Sequence, residues 1–401
     1  MGALSHIRVL DLSRILAGPW AGQTLADYGA EVIKVERPGC GDDTRRWGPP
    51  FVKDAEGNPG DAAYYHSANR GKKSVAIDIT STEGQALVRK LAAEVDVVIE
   101  NYKVGGLAKY GLDYASLKAV NPRLVYCSIT GFGQDGPYKQ RAGYDFMIQA
   151  MGGLMSVTGE PEGQPMKVGV ALADVMTGLY AVTAIQAALL HREQSGEGQY
   201  IDMSLLDVQV AALANQAMNY LVAEQPPARL GNAHPNIVPY EAFATEDGHI
   251  ILAVGNDSQF RAFCELAGAA DLAENPAFAT NPQRVANRTD LIPLIKHLMK
   301  QYSSDWWLTQ LEGCGVPCGP INTLDQVFSD PQVQHREMKV NLQHPEIGSV
   351  PGVANPVKFS GTPVTCQSAS PLLGEHSDEV LQNLGLDAAE IAKLRQDRVI
   401  S

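Results

Sequence analysis

Val168–Arg192 reads V-G-V-A-L-A-D-V-M-T-G-L-Y-A-V-T-A-I-Q-A-A-L-L-H-R, a mostly apolar run with Asp174 as its one acid. Val175, Leu179, Val182, Ile185 and Leu189 recur at steps of three and four, the period of a helix with one buried stripe. A membrane span is the competing reading. Asp174, Thr177, Thr183 and Gln186 argue against it, because polar and charged groups inside a bilayer are costly and rare. The run is therefore expected to be a core helix of a soluble chain. Asp174 falls where that helix should begin. It reads as an N-cap, or as a carboxylate beside a strip emptied by Gly178 and Ala181 and placed to receive a ligand. At this point both readings stand.

Upstream of this helix the pattern alternates. Strand-like runs at 7–12, 31–36, 73–79, 95–99 and 123–129 are separated by helical stretches at 17–28, from the T-x-x-E capping signal at Thr80 and Glu83 to about 93, and at 107–119. Short, continuously apolar strands alternating with helices imply a parallel, doubly wound (Rossmann-like) α/β sheet. Ligands of such sheets bind beyond the carboxyl ends of the strands, here Arg37, Asn101-Tyr102 and Gly131-Phe132-Gly133. E-Q-P-P-A-R-L-G-N-A-H-P-N at 224–236 reads as a linker. Beyond it, two β-runs flank Asp247-Gly248 as a hairpin, followed by helices near 258–267, 289–302 and 304–312. The expected organisation is a large domain over 1–223, a smaller α+β domain over 224–325, and a C-terminal return to the large domain over 326–401. That return carries strand-like pieces around Val340 and Val357 and a helix near 377–384.

The 401 residues carry a net charge of −13, which disfavours nucleic acid as a partner. Six cysteines at irregular spacing do not make a disulfide framework. Cys314 and Cys318 lie in G-C-G-V-P-C-G-P with no second pair at zinc spacing, so reduced thiols and no metal site are expected. With no visible secretory or lipidation signal, the expected compartment is the cytoplasm.

T-G-F-G-Q-D-G at 130–136 contains a literal G-x-G-x-x-G. A dinucleotide fingerprint should open a helix in the first βαβ unit. This one follows a later strand and runs into P-Y-K-Q-R-A-G-Y, so a glycine loop allowing close backbone approach is the better reading. Arg37, Lys72, Lys73, Lys103, Lys109, Lys139 and Arg141 are expected near the ligand edge, where, collected together, they would suit phosphates. Arg45 and Arg46, beside Trp47, could clamp a carboxylate.

Several segments resemble the class III CoA-transferases, the formyl-CoA and carnitine-CoA transferase family. They are L-A-G-P (16–19), G-A-E-V-I-K-V-E-R-P-G (29–39), N-R-G-K-K-S (69–74), V-I-E-N-Y (98–102), S-I-T-G-F-G (128–133), R-A-G-Y-D (141–145), A-D-V-M-T-G (173–178), G-V-P-C-G-P (315–320) and P-L-L-G-E-H (371–376). The run G-D-D-T-R-x-W-G-P-P-F is similar to the branch that uses succinyl-CoA and dicarboxylates such as glutarate and hydroxymethylglutarate. The resemblance implies transfer of CoA between carboxylic acids, an interlocked homodimer, and no tightly bound cofactor, coenzyme A entering as acyl-CoA substrate. Asp174 would be the nucleophile, forming an aspartyl–acyl anhydride and then an aspartyl-CoA thioester.

By the same resemblance, Arg37, Asn101, Tyr102 and Lys109 would hold CoA, and Trp47, Tyr144 and Asp145 would line the acid site. Arg45 is assigned to the free carboxylate of a dicarboxylic substrate. Leu16 stands where the formyl-CoA enzyme has Gln, which counts against oxalate and places Leu16 in the acid pocket. The related 2-methylacyl-CoA racemases carry His-Asp where this chain has Tyr144-Asp145; loss of that proton-transfer His ranks racemisation below transfer. An inactive CoA-binding relative is the third reading, opposed by the intact Asp174.

Overall fold

Six short strands, β1 (Arg8–Asp11), β2 (Glu31–Glu36), β3 (Lys72–Ala76), β4 (Val97–Glu100), β5 (Val125–Thr130) and β6 (Tyr200–Ser204), make one all-parallel sheet in the order β3-β2-β1-β4-β5-β6. The structure, a computed structural model, describes residues 2–54, 56–364 and 368–401. Cys366, one of the six cysteines, lies outside the described residues.

The strands are apolar on both sides because both faces are covered. Leu10, Ile33, Val75, Val98 and Tyr126 point into one core, with Leu87, Val88 and Leu91 of helix α2 (Thr82–Glu94). Their neighbours Val9, Val32, Val97, Val125 and Cys127 point into the other. That second core is closed by helix α1 (Ala17–Asp27) and by helix α5 (Leu172–Ser195), which contains the opening stretch. Between them in sequence lie α3 (Tyr114–Val120) and α4 (Asp145–Met151). The order reverses between β1 and β4, which is the topological switch point of this fold.

The chain divides into two compact units. The first comprises Met1–Leu154, Val168–Met218 and Pro331–Ser401, and holds the six-stranded sheet. The second comprises Met155–Lys167 and Asn219–Asp330. It is built on an antiparallel sheet of β7 (Tyr240–Ala244), β8 (His249–Ala253) and β9 (Cys318–Pro320), with β8 central. Phe243, Ile250, Leu252, Phe260, Phe263 and Trp307 fill its core.

Four local expectations are corrected. The N-cap of α2 is Ser81, which accepts from the Gly84 N–H at 3.0 Å, while the Thr80 hydroxyl turns to Asp78. The 107–119 helix is a 3-10 turn at Ala108–Tyr110 followed by α3. The strand expected near Val357 is at Gly348–Val353, paired with Lys339–His344, and a further helix, Ala388–Gln396, follows Ser377–Asn383. In α5 the buried face is Ala173, Thr177, Gly178, Ala181, Val182, Ile185, Ala188 and Leu189, while Leu179 is 43% exposed. Small residues face inward because α1 comes close: a Cβ on Gly178 would lie 2.8 Å from the Ala17 carbonyl oxygen and 3.1 Å from Trp20. Gly178 therefore serves helix packing, and does not open space for a ligand.

Candidate active site

A cavity of about 450 Å³ opens at the switch point. Its walls are the segments that leave the carboxyl ends of β1, β4 and β5, where a doubly wound sheet presents its ligands. Arg14, Ile15, Leu16 and Ala17 come from the first, Asn101, Tyr102 and Lys103 from the second, and Thr130 and Gly131 from the third. Asp174 closes the cavity from the first turn of α5, joined by Tyr144 from the residue before α4.

Asp174 is not the N-cap. The cap position of α5 is Ala171, and Asp174 is the helix's third residue. The free N–H groups of the first turn are served from outside. Asp145, the first residue of α4, accepts from the Ala173 N–H at 2.8 Å and the Asp174 N–H at 3.4 Å. Buried Gln149, one turn along α4, donates to the other Asp145 oxygen at 2.7 Å and so fixes that carboxylate. The favourable position for an anion at a helix start is thus occupied by Asp145. Burial first, and then the charge of Asp145, push the Asp174 carboxyl up to about 7. The N-cap reading of Asp174 is therefore corrected, and the shift brings its carboxyl into the neutral range. A desolvated carboxylate is also a less stabilised one, hence a stronger nucleophile when ionised.

Lys103, Lys109, Lys139 and Arg141 stand exposed around the cavity. Lys109 lies 4.6 Å over the Tyr110 ring, and Arg141 lies 4.6 Å over Tyr138 and 5.4 Å over Phe132. These contacts hold the cations in place while leaving their donors available. A cationic mouth on a chain of net charge −13 concentrates an anionic ligand at this one place. The glycine loop of 131–136 is explained by close packing. A Cβ on Gly131 would lie 2.5 Å from the Gly143 Cα, so this loop and the R-A-G-Y-D segment touch backbone to backbone.

Of the residues selected from sequence, Asp174, Leu16, Asn101, Tyr102, Lys109, Lys139, Arg141 and Tyr144 line the cavity, and Arg37, Arg45, Trp47 and Asp145 do not. Arg37 is exposed. Asp145 is the cap just described. Trp47 packs edge-on against Tyr64, with ring centroids 5.4 Å apart. Asn101 lines the wall, but its amide is committed: it accepts from the Arg14 N–H at 2.9 Å and donates to the Arg14 carbonyl at 2.6 Å.

Arg45 is the largest correction. Its guanidinium is buried, forked onto Glu36 at 2.7 and 2.8 Å, bonded to Asp61, Tyr65 and the Pro371 carbonyl, and stacked 3.8 Å over the Tyr65 ring. No donor remains for a substrate carboxylate. Lys72 is also interior, ion-paired with Asp11 at 2.9 Å, and Lys73 is bridged to Glu31 and Glu379. Two residues escaped the sequence reading. Arg14 lines the cavity and pairs with Asp43 at 2.7 Å. The Tyr64 hydroxyl is pushed up to about 12 by burial and then by the charges of Asp174 and Asp145, so it feels the field of both carboxylates. Tyr64 lies in a Y-Y-H run whose tyrosines carried no spacing signal.

Residues 4–377 match the family described as CoA-transferase family III. The chain is 57% identical over 381 residues to a succinate–glutarate CoA-transferase of Agrobacterium fabrum, covering 95% of each. It is 45% identical over 383 residues to the succinyl-CoA:glutarate CoA-transferase of Homo sapiens, covering 95% of this chain and 86% of the relative. The crystal structure of a CaiB/BaiF family protein from Brucella suis matches with a TM-score of 0.84 at 55% identity, over 96% of this chain and 99% of that one. The chain, with the Asp174 carboxylate on the wall of its switch-point cavity and exposed cations around it, belongs to CoA-transferase family III.

Proposed function

We propose that the protein moves CoA from a donor such as succinyl-CoA to a dicarboxylic acid of the glutarate or hydroxymethylglutarate kind, with Asp174 as nucleophile. The observation that carries this reading is the place of Asp174, an ionisable carboxylate on the wall of a cavity rimmed by exposed cations. The names of the relatives from Agrobacterium fabrum and Homo sapiens support the substrate class.

In this reading a carboxylate oxygen of Asp174 attacks the thioester carbonyl. The C–S bond breaks, CoA thiolate leaves, and an aspartyl–acyl anhydride remains. The thiolate attacks the aspartyl carbonyl of that anhydride, releasing the first acid as its carboxylate and leaving an aspartyl-CoA thioester. The acceptor carboxylate attacks this thioester and expels the thiolate, which then attacks the acceptor's acyl carbonyl. The new CoA ester departs and Asp174 is a carboxylate again. No proton is gained or lost over the cycle, so the site needs no general acid beyond its hydrogen-bond donors. Lys103, Lys109, Lys139 and Arg141 would meet the phosphates of CoA. With Arg45 enclosed, the substrate's distal carboxylate falls to Arg46, which is exposed and makes one long contact, 3.4 Å to the Gly39 carbonyl. A homodimer belongs to the same proposal. It would cover apolar side chains now in solvent, among them Phe146 on α4 and Leu190, 72% exposed, on α5.

Asp174→Ala is expected to reduce CoA transfer by about 10³-fold or more. Hydroxylamine added with the acyl-CoA should convert Asp174 to a hydroxamate, read as a mass shift on its peptide. An active Ala variant would refute the reading.

A further inference from the structure

The segment joining β1 to α1, Leu12–Leu16, is a strap whose last residues form the cavity wall together with Asp174. Its backbone is held from outside at almost every polar group. The Lys34 ammonium donates to the Ser13 carbonyl at 2.7 Å. The Asp42 carboxylate accepts from the Ile15 N–H, both oxygens at 3.3 Å. Asn101 takes both backbone groups of Arg14. Ile15, a β-branched residue, sits at φ +75°, a left-handed conformation that persists only where the surroundings over-determine it.

Lys34 and Asp42 are themselves paired at 2.9 Å with both side chains fully buried. Asp11, which accepts from Ser13 and from Lys72, lies next to them. Neither Lys34 nor Asp42 lines the cavity. A buried ion pair is often replaceable by apolar residues without loss of stability, so a pair that grips a strained strap needs another explanation.

We infer that the buried Lys34–Asp42 pair is a positioning device for CoA transfer: through Ser13 and Ile15 it holds the strap that shapes the acyl end of the cavity opposite Asp174. The inference rests on the Asp174 reading above. Lys34 and Asp42 are positioning residues, since they reach the site only through the strap's backbone. Misplacing a wall of the site by about 1 Å from a distance can cost on the order of 10²-fold in rate.

The test compares Lys34→Met, Asp42→Asn and the double variant K34M/D42N, using succinyl-CoA and glutarate. In each folded variant kcat should fall about tenfold or more. The KM for the CoA ester should stay within about threefold, because the phosphate-facing cations are untouched. Amide deuterium exchange in the peptide covering 13–17 should speed up. The double variant removes both charges together, so it should melt closer to wild type than either single variant while its kcat stays low, because the Ser13 carbonyl has lost its ammonium donor and a neutral amide oxygen at position 42 holds the Ile15 N–H less strongly than a carboxylate. Single variants that do not fold leave the double variant to decide. Wild-type kcat in the double variant, or in folded single variants, would overturn the inference. Absence of transfer by the wild-type protein, or transfer by D174A, would instead remove the Asp174 reading.

Discussion

Two sets of charges stand in the unit that holds the six-stranded sheet, and they do opposite things. Beneath the cavity, Lys34, Arg45 and Lys72 are buried and matched to Asp42, Glu36, Asp61 and Asp11. Around the cavity, Lys103, Lys109, Lys139 and Arg141 are exposed, steadied by aromatic rings or by nothing charged. The buried set is spent: each donor already has an acceptor, so its energy goes into holding loops in shape. The exposed set holds donors in reserve for an anion. Charge type alone does not separate the two; partners and burial do.

The comparison is broken most sharply at Arg45. Arg45→Met should lose about 3–5 kcal/mol of stability, the usual cost of leaving buried carboxylates unpaired, as read by denaturant unfolding. If instead stability is kept and only the KM for the dicarboxylate rises, Arg45 belongs with the exposed set.

Asp174 is the next lever. Its carboxyl is raised to about 7 by burial and Asp145, and in the proposed mechanism the ionised form attacks, so activity is expected to rise with pH through neutrality. One proton at that position gives a difference on the order of 90-fold in kcat/KM between pH 5 and pH 8. A kcat/KM profile flat above pH 5 would put the free enzyme's essential carboxyl below that range and overturn the raised value for Asp174.

Lys109→Ala should raise the KM for acyl-CoA about threefold to tenfold, with the effect shrinking as salt screens the exposed charge. A salt-independent loss would place Lys109 among the structural charges. Smallest of all, Arg46→Ala should raise the KM for a dicarboxylate about threefold and leave a monocarboxylate unaffected. Equal effects on both acids would remove Arg46 from substrate recognition.

Much of the framework was legible because parallel strands buried on both faces read as unbroken apolar runs, as E-V-I-K-V-E and V-D-V-V-I do. Asp174 stood out as the single acid of the apolar run Val168–Arg192. The failures share one cause. The partner of Arg45 at Pro371 lies 326 residues away, the amide of Asn101 closes on Arg14 across 87, and Asp145 caps α5 across 28. Spacing along a chain carries no information about such encounters.

From sequence alone came most of the alternation of strands and helices, membership of the family through its motifs, and the choice of Asp174 as the candidate carboxylate. Local patterning encodes these, since a buried stripe or a two-sided strand is a property of consecutive residues. Only the tertiary structure decided which cations are free, which glycine is for packing, and that Asp174 is raised by burial, not steadied by its helix. Those properties depend on desolvation and on partners, and both exist only once distant segments have been brought together.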